Sequence, residues 1–127
     1  MKIPKPIATF IEATNKHNSQ EFLNVIADTA VIRDEGHDYH GIAEIKEWSD
    51  EKVFGAKVTL EPLKIIDQSG NTVITMKIDG NFDKTGLPDP FIMDFHFTIH
   101  SEKISGLSIH LPNNKINYLN ALGCWII

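Results

Sequence analysis

The chain has 127 residues, 42% apolar and 23% charged, with 17 acidic side chains against 12 basic ones and a formal charge of -5. That describes one globular domain, residues 1–127, long enough to bury a core without disulfides or a structural metal. The acidic balance excludes the concentrated basic face of a nucleic-acid binder, and the single cysteine, Cys124, excludes an internal disulfide and a Cys-x-x-Cys zinc knuckle.

Residues 1–6 hold no apolar run of signal-peptide type, and no segment reaches the ~20 apolar residues of a membrane span. A cytoplasmic protein with no membrane and no nucleic-acid partner is the expectation. Pro4 and Pro6 suit a helix's first turn, where a missing N–H is harmless. Ile7, Phe10, Ile11 and Thr14 then recur at helical spacing. Asn18 followed by Glu21 has the form of a capping box, predicting a second helix with Phe22, Leu23 and Ile26 on its apolar face. Residues 30–34 read as a short strand, and 35–41 as a polar loop containing Gly36 and Gly41. Ile42, Ile45 and Trp48 mark a third helix that ends before Gly55.

Four strands in an antiparallel meander follow, at 58–66, 72–82, 91–100 and 104–111, with turns at 67–71, 83–90 and 101–103 and a stop at Pro112. Side chains alternate faces along a strand. One face collects Ile74, Met76, Ile78 and Phe82, then Met93, Phe95, Phe97 and Ile99, then Leu107, Ile109 and Leu111. The opposite face collects Thr75, Lys77, Asp79, Asp94, His96, Thr98, His100, Ser108 and His110. Helices first and strands after make an α+β domain. The apolar sheet face is the one large surface on which three amphipathic helices can bury their stripes.

The order of elements, with the runs Ile26-Ala27-Asp28-Thr29-Ala30-Val31-Ile32-Arg33-Asp34 and Gly41-Ile42-Ala43-Glu44-Ile45-Lys46-Glu47-Trp48, resembles one fold family over residues 3–112. It is the family of ketosteroid isomerase, scytalone dehydratase, SnoaL-like polyketide cyclases and nuclear transport factor 2. The resemblance implies a cone: three N-terminal helices packed on a curved, mainly antiparallel sheet, a cystatin-like roll with a deep pocket at its open end. It implies a small apolar ligand, a homodimer, and either isomerase-, cyclase- or dehydratase-type acid–base chemistry on an apolar carbonyl compound or a non-catalytic domain that binds a ligand or another protein. No Gly-rich phosphate loop is present, so no cofactor is expected.

Carried over residue by residue, the resemblance puts Asp34 at the position of the isomerase's general base. It puts Phe10 where that enzyme has an oxyanion-hole Tyr, and Phe95 near its protonated oxyanion-hole Asp. Both donors are therefore missing. One such donor is often worth roughly 10²–10³ in rate, so isomerisation by the family's known route is not expected here. Asp34 reads either as a base made more proton-avid by burial or as a strand-end carboxylate paired with Arg33. His37, Tyr39 and His40, with Asp38, lie in the segment that rims the pocket in the resembled fold, where a His offers a proton relay and Tyr39 a hydroxyl donor. The same residues also read as an ordinary solvated loop.

No metal is expected. The spacing of His37, Asp38 and His40 matches no strong ligand motif, and His96, His100 and His110 read as a polar outer face. Trp48, Phe54, Met76, Phe95 and Phe97 serve as core or as pocket walls, two roles that merge on one apolar face. The segment 113–127 ends apolar and is expected to cover the pocket mouth or dock on the body of the protein or a partner.

Overall fold

Helix α1 (Lys5–Asn15) carries a proline in its first turn and buries Ile7, Phe10, Ile11 and Thr14, the stripe that the spacing predicts. The computed structural model describes residues 1–68 and 70–112. The C-terminal segment 113–127, with Cys124 and the expected pocket cover, lies outside the described residues. Helix α2 (Ser19–Asn24) opens at Asn18, whose side chain accepts from the Glu21 amide at 3.1 Å. The reciprocal half of the capping box is replaced, because the Asn18 amide donates to the Ala13 carbonyl at 2.8 Å. The end of α1 is close enough to supply that acceptor itself.

Strand β1 (Ile26–Asp34) starts at Ile26, earlier than the expected 30. The segment expected as a loop is strand β2 (His37–His40), paired antiparallel to β1. The hairpin turns on Glu35 and Gly36, with φ of 54° and 74°. A two-residue turn with both φ values positive matches the twist of its flanking strands. Glutamate is uncommon in that conformation, so the sequence carries no Asn-Gly or Asp-Gly mark there.

Helix α3 (Gly41–Ser49) follows this hairpin and is not part of an uninterrupted helical front. It runs into a π-helical turn, Asp50–Phe54, where the Gly55 amide donates to the Asp50 carbonyl at 2.8 Å. A side chain on residue 55 would bring its Cβ to 2.7 Å from that carbonyl oxygen, so the wide turn requires glycine. Then come β3 (Thr59–Gln68), β4 (Asn71–Asp79), β5 (Ile92–His100) and β6 (Lys103–His110). The sheet order is β2-β1-β6-β5-β4-β3. The meander is antiparallel, but β1 joins β6 in parallel, so the sheet is mixed.

The inner face of the sheet is the predicted one. Ile74, Met76, Phe95, Phe97 and Leu107 are buried there against the helices. Phe10 packs on Phe22 at 4.8 Å between ring centroids and on Phe97 at 5.3 Å, tying both early helices to the strands. Such aromatic pairs contribute about 0.5–1.5 kcal/mol beyond their buried area. Two strand residues depart from expectation. Phe82 lies beyond the end of β4, with its ring 6.0 Å from that of Phe91. Asp94, on the outer face, is 2% exposed and accepts a 2.6 Å hydrogen bond from Thr75 Oγ1. A hydroxyl on the neighbouring strand satisfies a carboxylate that alternation alone would leave in water.

Asn15 clamps α1 to the sheet. Its amide donates to the Leu60 carbonyl at 2.9 Å, and its side-chain oxygen accepts from the Leu60 N–H at 2.7 Å. Asn15→Ala leaves both backbone groups of a buried residue without a partner. It is expected to lower unfolding free energy by about 1–3 kcal/mol in urea titration, and an unchanged midpoint would remove the clamp from the account.

Candidate functional site

Ala30, Ile32 and Asp34 share one face of β1 by strand alternation, and the first two are buried in the core. The last inward position of the strand therefore carries a carboxylate on an apolar face, half-buried and opposite Ile109 in the β1–β6 register. At this point the core opens into a cavity of about 720 Å³. Phe10 of α1, Trp48 of α3, Met93 and Phe95 of β5, and Phe82 and Phe91 from the connection between β4 and β5 line it. The volume falls in the roughly 300–1,000 Å³ range of small-molecule sites.

Trp48 fixes the carboxylate. Its indole Nε1–H donates to Asp34 Oδ2 at 3.1 Å. The contact needs α3 to return over the end of β1, which the β2 hairpin arranges by turning the chain back after Asp34. Burial holds the Asp34 carboxyl above its ordinary value of 3.8. The neighbouring Glu35 charge adds to that rise, while the Trp48 hydrogen bond and the Lys52 ammonium oppose it.

The structure brings Phe10, Asp34, Trp48 and Phe95 together at the cavity wall. Met76 and Phe97 are instead wholly enclosed core residues, and Phe54 packs its ring on Phe22 at 5.2 Å. His37, Tyr39 and His40 do not line the cavity, because they belong to the edge strand β2. Trp48 lines the cavity and also a separate polar groove shared with His37 and Tyr39, and the Tyr39 ring centroid is 5.9 Å from that of Trp48. The expected hydroxyl donor and imidazole relay thus lie outside the cavity lining, although His37 is the cross-strand partner of Asp34 at the end of the hairpin. Arg33 pairs with Asp38 at 3.1 Å across the hairpin. On the outer face the His96 and His110 rings meet edge-on at 4.4 Å. Among the described residues no group of three His, Cys, Asp or Glu side chains is placed to hold a metal ion.

Sequence reasoning passed over Glu51 and Lys52, which reach the mouth from the π turn, and Glu35 and Asp83, which reach it from two loops. The first two stand three and four positions after Trp48, the spacing of one helix face. That spacing is the one signal able to find them.

A carboxyl whose folded value lies above its unfolded value binds more protons when folded. Its contribution favours folding at low pH and is lost as pH rises from about 3.8 through the raised folded value. Asp34→Asn removes that loss and keeps an oxygen acceptor for the Trp48 indole. The variant is expected to melt higher than wild type at neutral pH, with the difference shrinking below pH ~4. Equal melting at both pH values would contradict the burial cost assigned to Asp34.

No protein-family model and no curated protein matches the sequence. Solved structures do match. A Sinorhizobium meliloti protein provisionally named a polyketide cyclase superposes with a TM-score of 0.77 at 23% identity, over 85% of this chain and 95% of its own. A Mycobacterium tuberculosis protein in complex with estradiol-17beta-hemisuccinate gives 0.71 at 13%, over 87% and 93%. A nuclear transport factor 2-like protein of unknown function from Cytophaga hutchinsonii gives 0.70 at 10%, over 92% and 96%. At such identities the likeness is one of architecture, and by that architecture this chain has the fold of polyketide cyclase-like, ketosteroid isomerase-like and nuclear transport factor 2-like structures.

Proposed function

We propose that this chain is a small-molecule pocket protein, holding one apolar compound in the cavity with the compound's polar end on Asp34. The observation that carries the reading is a half-buried carboxylate, held by an indole N–H, in a largely apolar cavity whose other charged lining residues, Glu35, Glu51, Lys52 and Asp83, are exposed. Apolar walls supply affinity without direction, and one fixed polar group supplies orientation. That the Mycobacterium tuberculosis structure holds a steroid derivative supports the same use of the fold here.

The uncharged apolar dye N-phenyl-1-naphthylamine tests the reading. Its fluorescence is expected to rise on binding the wild-type protein. Met93→Trp, which fills the cavity from a half-buried lining position, is expected to weaken the dye by about tenfold or more, a loss of ~1.4 kcal/mol. Equal binding by both proteins would place the dye elsewhere and remove the pocket from the account.

The raised proton affinity of Asp34 favours a second reading, an acid–base enzyme. In it the carboxylate takes a proton from the carbon next to a ketone carbonyl, and the electron pair moves to the carbonyl oxygen as an enolate. Among the described lining side chains, Lys52 is the one donor not engaged elsewhere to face that oxygen. Wild-type protein in D₂O is then expected to exchange the methyl protons of 2-acetonaphthone faster than buffer does, and Asp34→Asn to lose the effect. Exchange at the buffer rate sinks this second reading and leaves the first intact.

A further inference from the structure

The cavity's polar inventory is one-sided. Among the described residues four acidic side chains line it, Asp34, Glu35, Glu51 and Asp83, against one basic side chain, Lys52. The other polar hydrogens on its walls are committed. The Thr14 hydroxyl donates to the Phe10 carbonyl at 2.8 Å, and the Trp48 indole donates to Asp34. Lys46 and Lys84, close in sequence to lining residues, are paired with Asp50 at 2.6 Å and Asp79 at 3.0 Å. A ligand carbonyl or carboxylate brought to Asp34 meets an acceptor facing an acceptor. A ligand N–H meets a carboxylate, which can accept further hydrogen bonds beside those from the Trp48 indole and the Glu35 backbone.

A second feature points the same way. Aromatic rings of Phe10, Trp48, Phe82, Phe91 and Phe95 line the same cavity. Their faces carry negative quadrupole density that attracts a cation, most strongly when water is excluded. Carboxylate and aromatic faces together favour a positive charge attached to an apolar body. They also offset the desolvation that an ammonium ion suffers on entering an apolar site. The three carboxylates at the mouth, all on exposed residues, draw a cation inward and repel an anion before contact.

We propose that the pocket selects a hydrophobic amine, taken up as its ammonium ion with an N–H on Asp34 and its apolar body against the aromatic walls. The proposal rests on the reading of the cavity as a ligand pocket and names the class of ligand. It also assigns Lys52 a discriminating role, since among the described lining residues its charge is the one that opposes such a ligand.

The test uses four probes on one skeleton: 1-naphthylmethylamine, 1-naphthylmethanol, 1-acetonaphthone and 1-naphthoate. Each competes with N-phenyl-1-naphthylamine on wild type, Asp34→Asn and Lys52→Ala, whose folding is checked by circular dichroism and melting. The amine is expected to bind wild type about tenfold or more tighter than the ketone, with the carboxylate weakest. Asp34→Asn is expected to erase the amine's advantage and to change the alcohol and ketone by less than about threefold. Lys52→Ala, at an exposed position, is expected to tighten the amine and weaken the carboxylate further. A ketone or carboxylate that binds as well as the amine overturns the ligand class and leaves the pocket standing. An amine preference that survives Asp34→Asn overturns the assignment to Asp34. If no probe competes and the dye ignores Met93→Trp, the pocket reading falls and the ligand class with it.

Discussion

One apolar sheet face governs this molecule, because it is larger than the helices available to cover it. At one end the cover is complete: Phe10 and Phe22 from the helices meet Phe97, and Ile74 and Met76 beneath them have no exposed surface. Each such side chain contributes roughly 1.5–3 kcal/mol by leaving water, and this end sets the stability of the domain. Toward Phe82, Phe91 and Met93 the helices no longer reach, and the same face becomes the wall of a cavity. Core and pocket are thus two stretches of one surface. Phe10 and Phe95 take part in both.

This continuity explains what was legible in the sequence. Period-two alternation identified the inner face strand by strand, because burial on one side leaves a strong mark. Helical spacing gave α1 and α3 for the same reason. The features that decide where the face ends left weaker marks. The hairpin after Asp34 turns on Glu35, a residue with no turn preference of note, so β2 read as a loop. The π turn after α3 adds a residue per turn without any composition to signal it, and Gly55 reads as an ordinary helix stop. Phe82 kept the alternation of β4 beyond the point where the strand stops. Alternation reports what a residue is suited to face, whereas strand ends are set by the turns beyond them.

The candidate site was legible in the same uneven way. Asp34 and Trp48 were each identifiable, one from a family position and one as a large apolar side chain, but nothing in a separation of fourteen residues says that they meet. Their contact depends on the hairpin and on α3 folding back over β1, both tertiary facts. Tyr39 and the flanking histidines followed the opposite course. As loop residues they were free to be assigned to the pocket, whereas as residues of an edge strand they stand outside its lining and share a polar groove with Trp48. The polar group that matters at this cavity is therefore fixed from the core side, not from the rim.

Trp48 accordingly limits what Asp34 can be. A donor on Oδ2 stabilises the ionised form and holds the plane of the carboxylate, while burial favours the neutral form. The two effects oppose each other, and burial is the larger. The group is left short of charge compensation, a state that costs stability and persists in proteins where binding later relieves it. Among the described lining residues Lys52 is the one cation, and its charge and the hydrogen bonds to the carboxylate offset the burial only in part. Relief must come with the ligand, and a ligand that brings a proton-bearing positive group supplies more of it than one that brings another acceptor. The shortage of donors that argues against carbonyl chemistry is thus the same shortage that defines the complementary guest.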